Sequence, residues 1–295
     1  MSAETTAASA ATDAAPEAVI EATGLRKVFH LRGGRGGGGD RALVAVDDVS
    51  LRLSPRGALG IVGESGSGKT TVARMLVGLE RPTAGRIVVA GRERAPGPAR
   101  TAERRRRARE MQLVFQDPYS SLNGRQRVRD ALDEVLRVHF PLSRDERARR
   151  IAELLDQVGL DERQGSALPR ALSGGQRQRV AIARALAAEP RVLVLDEAVA
   201  ALDVSIQAQV LNLLADVRER VDVALLFITH DLAVARQVTD ELLVMQRGVV
   251  VEQGPTAQVL DRPQHAYTRM LRASVPERGW RPQRAVLAAA PSVPD

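Results

Sequence analysis

Apolar residues occur in short runs separated by Gly, Pro and charged positions, and the runs switch between two periods. Val19–Leu25, Val44–Leu53, Leu59–Val62, Arg86–Ala90, Met111–Phe115, Val192–Leu195, Val223–Ile228, Leu242–Gln246 and Val249–Glu252 read as strands, with Met111–Phe115 of the buried type. Gly68–Leu79, Arg127–Val138, Asp145–Val158, Gly174–Ala188 and Ile206–Arg220 read as helices. Shorter helices follow from Asp231, from Thr256 and over Tyr267–Ala273. Pro82 and Pro190 are expected to stop the helices before them, and Ser143 with Glu146 forms a capping box for the helix that follows. Arg92–Glu110 is expected to be a loop, broken by Pro96 and Pro98, that runs into a solvated helix.

Strands alternating with helices predict an α/β fold with a mostly parallel sheet covered on both faces. The helical stretch over about 117–186 interrupts the alternation and is long enough for a subdomain. Residues 1–18 and 276–295 read as tails around an ordered region over 19–275, and Gly33–Gly39 as a loose loop. No internal repeat is apparent.

Composition narrows the chemistry. Of the 295 residues 44% are hydrophobic and 27% charged, which excludes a chain disordered throughout. With four Phe, two Tyr and one Trp, the core must be built from Leu, Val, Ile and Ala. The absence of Cys excludes disulfides, a zinc ribbon, a thiol nucleophile and a Cys-held iron–sulfur cluster, and a reducing cytoplasm is the plain expectation. The net charge of +7 would suit nucleic acid or an anionic membrane surface, but the arginines are spread along the whole chain and no nucleic acid is expected. The first 18 residues carry no Lys or Arg and no apolar stretch, unlike a secretory signal, and no run approaches a membrane span. The expectation is a chain soluble by itself, with any membrane spans supplied by other subunits.

Gly63-Glu64-Ser65-Gly66-Ser67-Gly68-Lys69-Thr70 is a G-x-x-x-x-G-K-[ST] phosphate-binding loop, placed after an apolar strand and opening a helix. Its glycines let backbone N–H groups turn inward on a phosphate, and the helix N-terminus adds a positive dipole. Lys69 reaches the β- and γ-phosphates and the Thr70 hydroxyl can hold Mg²⁺. Only Lys27 and Lys69 are lysines among 43 Lys and Arg, so one of two compact ammonium groups stands where a planar guanidinium would not fit. Val192–Leu195 then leads into Asp196 and Glu197. An Asp at such a strand end supports Mg²⁺, and an adjacent acid can take a proton from water.

Between the two lies Leu172-Ser173-Gly174-Gly175-Gln176, which resembles the signature sequence of ATP-binding cassette (ABC) ATPases. Gln116 resembles that family's Q-loop, Leu202-Asp203 its D-loop and His230 its switch histidine, so the resemblance covers roughly 19–275. It implies a P-loop core with an antiparallel β subdomain and a helical subdomain, ATP and Mg²⁺ as ligands, and a dimer in which one subunit's signature closes over ATP held by the other's P-loop. It also implies roles: Glu197 as general base, His230 on the γ-phosphate, and Gln116 beside Mg²⁺ and sensing the membrane partner. Thr70, Gln116 and Asp196 form the metal set, Asp203 contacts the opposite subunit, and Phe29 stacks on adenine. Thr71, Ser173, Gly174, Gly175 and Gln176 complete the nucleotide contacts. Ala198 and Ala200 depart from the Pro and Ser usual beside the base, which touches D-loop geometry.

Gly248–Pro255, Pro263–Thr268, Phe115–Asn123 and Ala201–Ser205 resemble the ATPase subunits of peptide and nickel importers, of the type without an iron–sulfur cluster. The implied function is a peripheral ATPase on the cytoplasmic face of the membrane, powering oligopeptide or dipeptide uptake through separate permeases, with a second ATPase subunit and, indirectly, a solute-binding protein. The competing readings are a soluble ABC ATPase acting on nucleic acid or ribosomes, which only Arg104–Arg107 favours, and an exporter ATPase. His265 stands with no nearby His or Cys, so packing outweighs metal ligation there.

Overall fold

The computed structural model describes residues 18–31, 41–94, 100–116 and 122–274. The expected tails, apart from residue 18, and the Gly33–Gly39 loop lie outside them, as do Pro96, Pro98 and the start of the 117–186 stretch.

Two sheets form. In the first, β1 (Ile20–Leu31), β2 (Arg41–Leu53), β4 (Ala84–Val89) and β5 (Arg92–Glu93) pair in the order β2-β1-β4-β5. All three pairings are antiparallel. The second contains β3 (Ala58–Val62), β6 (Met111–Val114), β7 (Val192–Asp196), β8 (Ala224–Thr229), β9 (Glu241–Gln246) and β10 (Val249–Pro255), in the order β10-β9-β3-β8-β7-β6. Its pairings are parallel except for the β9–β10 hairpin.

The helices are α1 (Lys69–Val77), α2 (Thr101–Glu110), α3 (Val128–His139), α4 (Arg144–Gln157), α5 (Glu162–Ser166) and α6 (Gly174–Leu186). After β7 come α7 (Val204–Arg220), α8 (Leu232–Val238), α9 (Thr256–Asp261) and α10 (Ala266–Ala273).

β3, β7 and β8 are buried at every position, because successive side chains feed different cores. Leu59, Ile61, Val192, Val194, Leu226 and Ile228 pack with Val72, Met75 and Leu76 of α1 and with Ile20, Leu25 and Val46 of the first sheet. Leu193, Leu195 and Phe227 face the other way, onto Val180 and Ile182 of α6, and the same core continues into Leu132, Leu136 and Leu154 of α3 and α4. Thus α6 joins the helical segment to the sheet that ends in Asp196.

Three local expectations change. Helix α1 ends at Val77, where Gly78 in the left-handed region donates to Arg74 and Met75 carbonyls, so the stop comes four residues before Pro82. Strand β6 stops at Val114 and is a half-buried edge strand, since only β7 pairs with it; Phe115 is 39% exposed. The Arg-rich helix α2 is not wholly solvated. Glu110 is buried with the Arg94 guanidinium 3.9 Å away, and burial lowers the Arg94 pKa to about 10. Arg106 and Arg107 pair with Glu103, and Arg106 also with Glu110. The Ser143–Glu146 capping box forms in full.

Candidate functional site

In the loop between β3 and α1, close backbone contacts leave no room for a side chain at Gly63 or Gly68. Gly63 has φ 151°, and a Cβ there would lie 2.2 Å from the Met245 carbonyl oxygen. Glu64, Ser65 and Gly66 are exposed while Ser67 and Lys69 are buried. Lys69 Nζ curls into the loop, donating to the carbonyls of Gly63 at 2.8 Å and Glu64 at 2.7 Å, with Ser67 Oγ at 3.4 Å. Burial lowers the Lys69 pKa, against the opposing pull of Glu197, Asp196 and Glu64.

Parallel pairing of β3, β8 and β7 brings Val62, Thr229 and Asp196 to one end of the sheet. Thr70 Oγ1, in the first turn of α1, donates to Asp196 Oδ1 at 3.1 Å across 126 positions of sequence. Burial raises the Asp196 pKa, partly offset by the Thr70 hydrogen bond and reinforced by the Glu197 charge. Glu197 has φ 49°, a left-handed conformation of the kind that stores strain at functional sites, and its N–H donates to Ile228 O at 2.9 Å. The bond ties the residue to the strand leading to His230, whose Nδ1 lies 3.5 Å from Glu197 Oε1. Asp231 caps α8, which fixes the His230 turn. Ala198 is buried, and the turn beyond Glu197 closes through Ala200 N–H to Glu197 O.

Lys69, Thr70, Asp196, Glu197 and His230 are therefore linked by direct contacts or shared charge. Thr71 follows on α1, half-buried, and Gln116 is exposed just beyond β6. Phe29 lies on β1 with Lys27 Nζ 4.8 Å from its ring centroid. Ser173, Gly174, Gly175 and Gln176 assemble on different neighbours. The Ser173 hydroxyl accepts from Gln176 N–H and the Gln176 side chain accepts from Ser173 N–H, a capping box at the start of α6. A Cβ on Gly174 would meet Leu202 at 3.7 Å, and one on Gly175 would meet Ile206 at 2.4 Å. The signature turn thus packs on the segment around Asp203, which is exposed.

Sequence reasoning missed the outer supports of the loop. Tyr267 Oη accepts from Glu64 N–H at 3.0 Å, and Gly248 N–H donates to Ser67 O at 3.0 Å. The signal was a hydroxyl-bearing aromatic on the apolar face of a short helix. His265 caps that helix, with Nδ1 accepting from Tyr267 N–H at 3.2 Å. Among the described residues no group of three or more His, Cys, Asp or Glu is arranged to hold a metal, and no helix is long and apolar enough to cross a membrane.

A glycine-rich loop with a buried lysine at a parallel sheet's carboxyl end, beside two acids and a histidine, is the arrangement of a nucleoside-triphosphate-binding α/β protein. The family described as ABC transporter matches residues 46–200, and the oligopeptide/dipeptide transporter C-terminal region matches 251–293. A peptide import ATP-binding protein of Brucella abortus, itself named putative, is 46% identical over 272 residues, 92% of this chain and 81% of that one. The Di/tripeptide transport ATP-binding protein DppF of Pseudomonas aeruginosa is 46% identical over 79% of this chain and 71% of its own. Among solved structures, cbiO1 of Clostridium perfringens, part of an ABC transporter complex, superposes with TM-score 0.70 at 26% identity, covering 83% of this chain and 91% of that one. The cassette MJ0796, in a dimeric post-hydrolysis state bound to ADP and Pi, does so with TM-score 0.69 at 27% identity, covering 80% and 98%. This chain belongs to the ABC transporter family, as an ATP-binding, ATP-hydrolysing cassette of the peptide-importer group.

Proposed function

We propose that the chain hydrolyses MgATP at the Gly63–Thr71 cradle and so powers uptake of oligopeptides, dipeptides or a related solute through separate permease subunits. The observation that carries the reading is the junction of Thr70 with Asp196 at 3.1 Å beside Glu197 and His230 at 3.5 Å. The oxygens of Thr70 and Asp196 suit Mg²⁺, which is held by one or two carboxylates together with phosphate, water and neutral oxygens, and Gln116 lies beyond β6 as a third donor. Mg²⁺ bound there would neutralise charge on the phosphates.

The chain's own residues divide the remaining work. Lys69 exchanges its loop carbonyls for the β- and γ-phosphates. Glu197 accepts the proton of the attacking water, and His230 orients that water and the γ-phosphate. Phe29 stacks on adenine. Ser173, Gly174, Gly175 and Gln176 serve the ATP of a second cassette, identical or paralogous, with Asp203 at the contact. Gln116 and the helical segment over about 117–186, within a cassette spanning about 19–275, pass closure to the permeases. The protein then works at the cytoplasmic face of the membrane, with a solute-binding protein as an indirect partner. The internal pairing of Arg106 and Arg107 weakens the nucleic-acid alternative.

Glu197→Gln should retain ATP binding while turnover falls by about 10²–10⁴-fold. Lys69→Ala should lose binding. Wild-type turnover in the first, or unchanged affinity in the second, would remove the assignment. Purification from solubilised membranes should recover permease subunits; recovery with ribosomes or DNA instead would favour the soluble alternative.

A further inference from the structure

Residues 251–293 carry the oligopeptide/dipeptide C-terminal region, and its Pro263–Thr268 segment makes a direct hydrogen bond to the phosphate cradle. Glu252 on β10 accepts the N–H groups of Gln264 at 2.8 Å and His265 at 3.0 Å, which fixes the turn into α10. His265 Nδ1 then caps that helix, and Tyr267, 4% exposed, packs among Val62, Leu242, Val244 and Leu260. The packing aims the phenol at one atom of the cradle, the Glu64 N–H.

That N–H and the Gly63 carbonyl belong to the same peptide unit. In a planar trans peptide the two point in opposite directions. Tyr267 holds one end at 3.0 Å while Lys69 Nζ holds the other at 2.8 Å. Glu64 O, in the next peptide unit, accepts from both Lys69 Nζ and Ser67 N–H. A single hydroxyl outside the loop thus sets the orientation of the peptide facing the catalytic-site lysine inside it.

We propose that Tyr267 is a positioning residue for nucleotide binding: by holding the Gly63–Glu64 peptide it pre-forms the cradle, so that the C-terminal segment sets the cassette's affinity for nucleotide. The inference rests on the nucleotide reading of the cradle. Tyr267→Phe deletes one oxygen and keeps the buried ring. With the full chain and MgATP, the variant should show a Kd and KM raised about two- to tenfold, the worth of one net hydrogen bond, with kcat within about twofold of wild type. Glu252→Gln, which keeps Tyr267 but surrenders one of the two acceptor oxygens of the turn, should shift Kd the same way by less. Thermal melting without nucleotide controls for folding, since a residue that only packs would lower the melting temperature and the amount of active enzyme while leaving Kd and KM in place. Unchanged or tighter ATP binding in Tyr267→Phe, or a fall in kcat alone, overturns the proposal. Lys69→Ala run alongside separates the two readings: if it binds ATP as wild type does, the nucleotide assignment itself fails, whatever Tyr267→Phe shows.

Discussion

Adding one methyl group at Gly175 tests whether the signature turn is held by its contact with the segment after Asp196 and Glu197. The new Cβ would stand 2.4 Å from Ile206 Cγ2. Carbon atoms pack at about 3.5–4.0 Å, so something must move by about 1 Å. Ile206 cannot swing away cheaply, because a β-branched residue in a helix has one strongly preferred χ1 rotamer and this one lies in the first turn of α7. The strain therefore falls on the spacing of α6 and α7, at about 1–3 kcal/mol for overpacking. Urea unfolding should show that loss for Gly175→Ala. In an Ile206→Ala background, which lacks Cγ2, the same substitution should cost at least about 1 kcal/mol less, a coupling that a double-mutant cycle isolates. Because Ser173 and Gly174 stand at the N-terminal end of α6 while Lys69 lies on α1, ATP binding should be preserved and steady-state hydrolysis reduced. Equal costs in both backgrounds would show that Ile206 does not set the position of the turn.

Asp196→Asn should stabilise the nucleotide-free protein while impairing Mg²⁺-dependent hydrolysis, since it removes a buried charge and keeps an oxygen for Thr70; at about 1–3 kcal/mol, and about 2–4 °C per kcal/mol, melting should rise by several degrees near neutral pH. Burial raises the folded pKa of Asp196 above its ordinary value, so the folded state retains a proton that the unfolded state has lost in that window, and stability declines as pH rises through it. The gain in Asp196→Asn should therefore fade as pH is lowered below that window, and a gain that persisted there would refute burial of the carboxylate as its cause. Phe29→Ala should weaken ATP binding by about 0.5–1.5 kcal/mol, the worth of an aromatic contact, and leave inorganic tripolyphosphate binding unchanged; equal losses for both would remove adenine stacking.

What the sequence made legible and what it hid divide along a physical line. The cradle is one continuous segment whose residue types follow from phosphate chemistry, so Gly63–Thr70 could be read directly. The Thr70–Asp196 contact spans 126 positions, yet parallel strands deliver their carboxyl ends to a common edge, so an acid ending an apolar strand was a sound clue. Proline is the louder helix breaker in the sequence, so Pro82 outweighs Gly78 there, yet Gly78 ends α1 by taking the left-handed conformation and donating to two carbonyls of the last turn, the ordinary role of a glycine at that position. Burial at Arg94 and Glu110 was hidden for a related reason. An arginine run reads as solvated until tertiary packing places an acid beneath it. The support at Tyr267 was least visible of all. It joins a phenol to a backbone N–H 203 positions away, and backbone groups leave no trace in composition or periodicity. The residues proposed for the chemistry are thus readable because their type is constrained, whereas those that hold them act through the main chain, where any residue supplies the same N–H and only the fold selects which one is held.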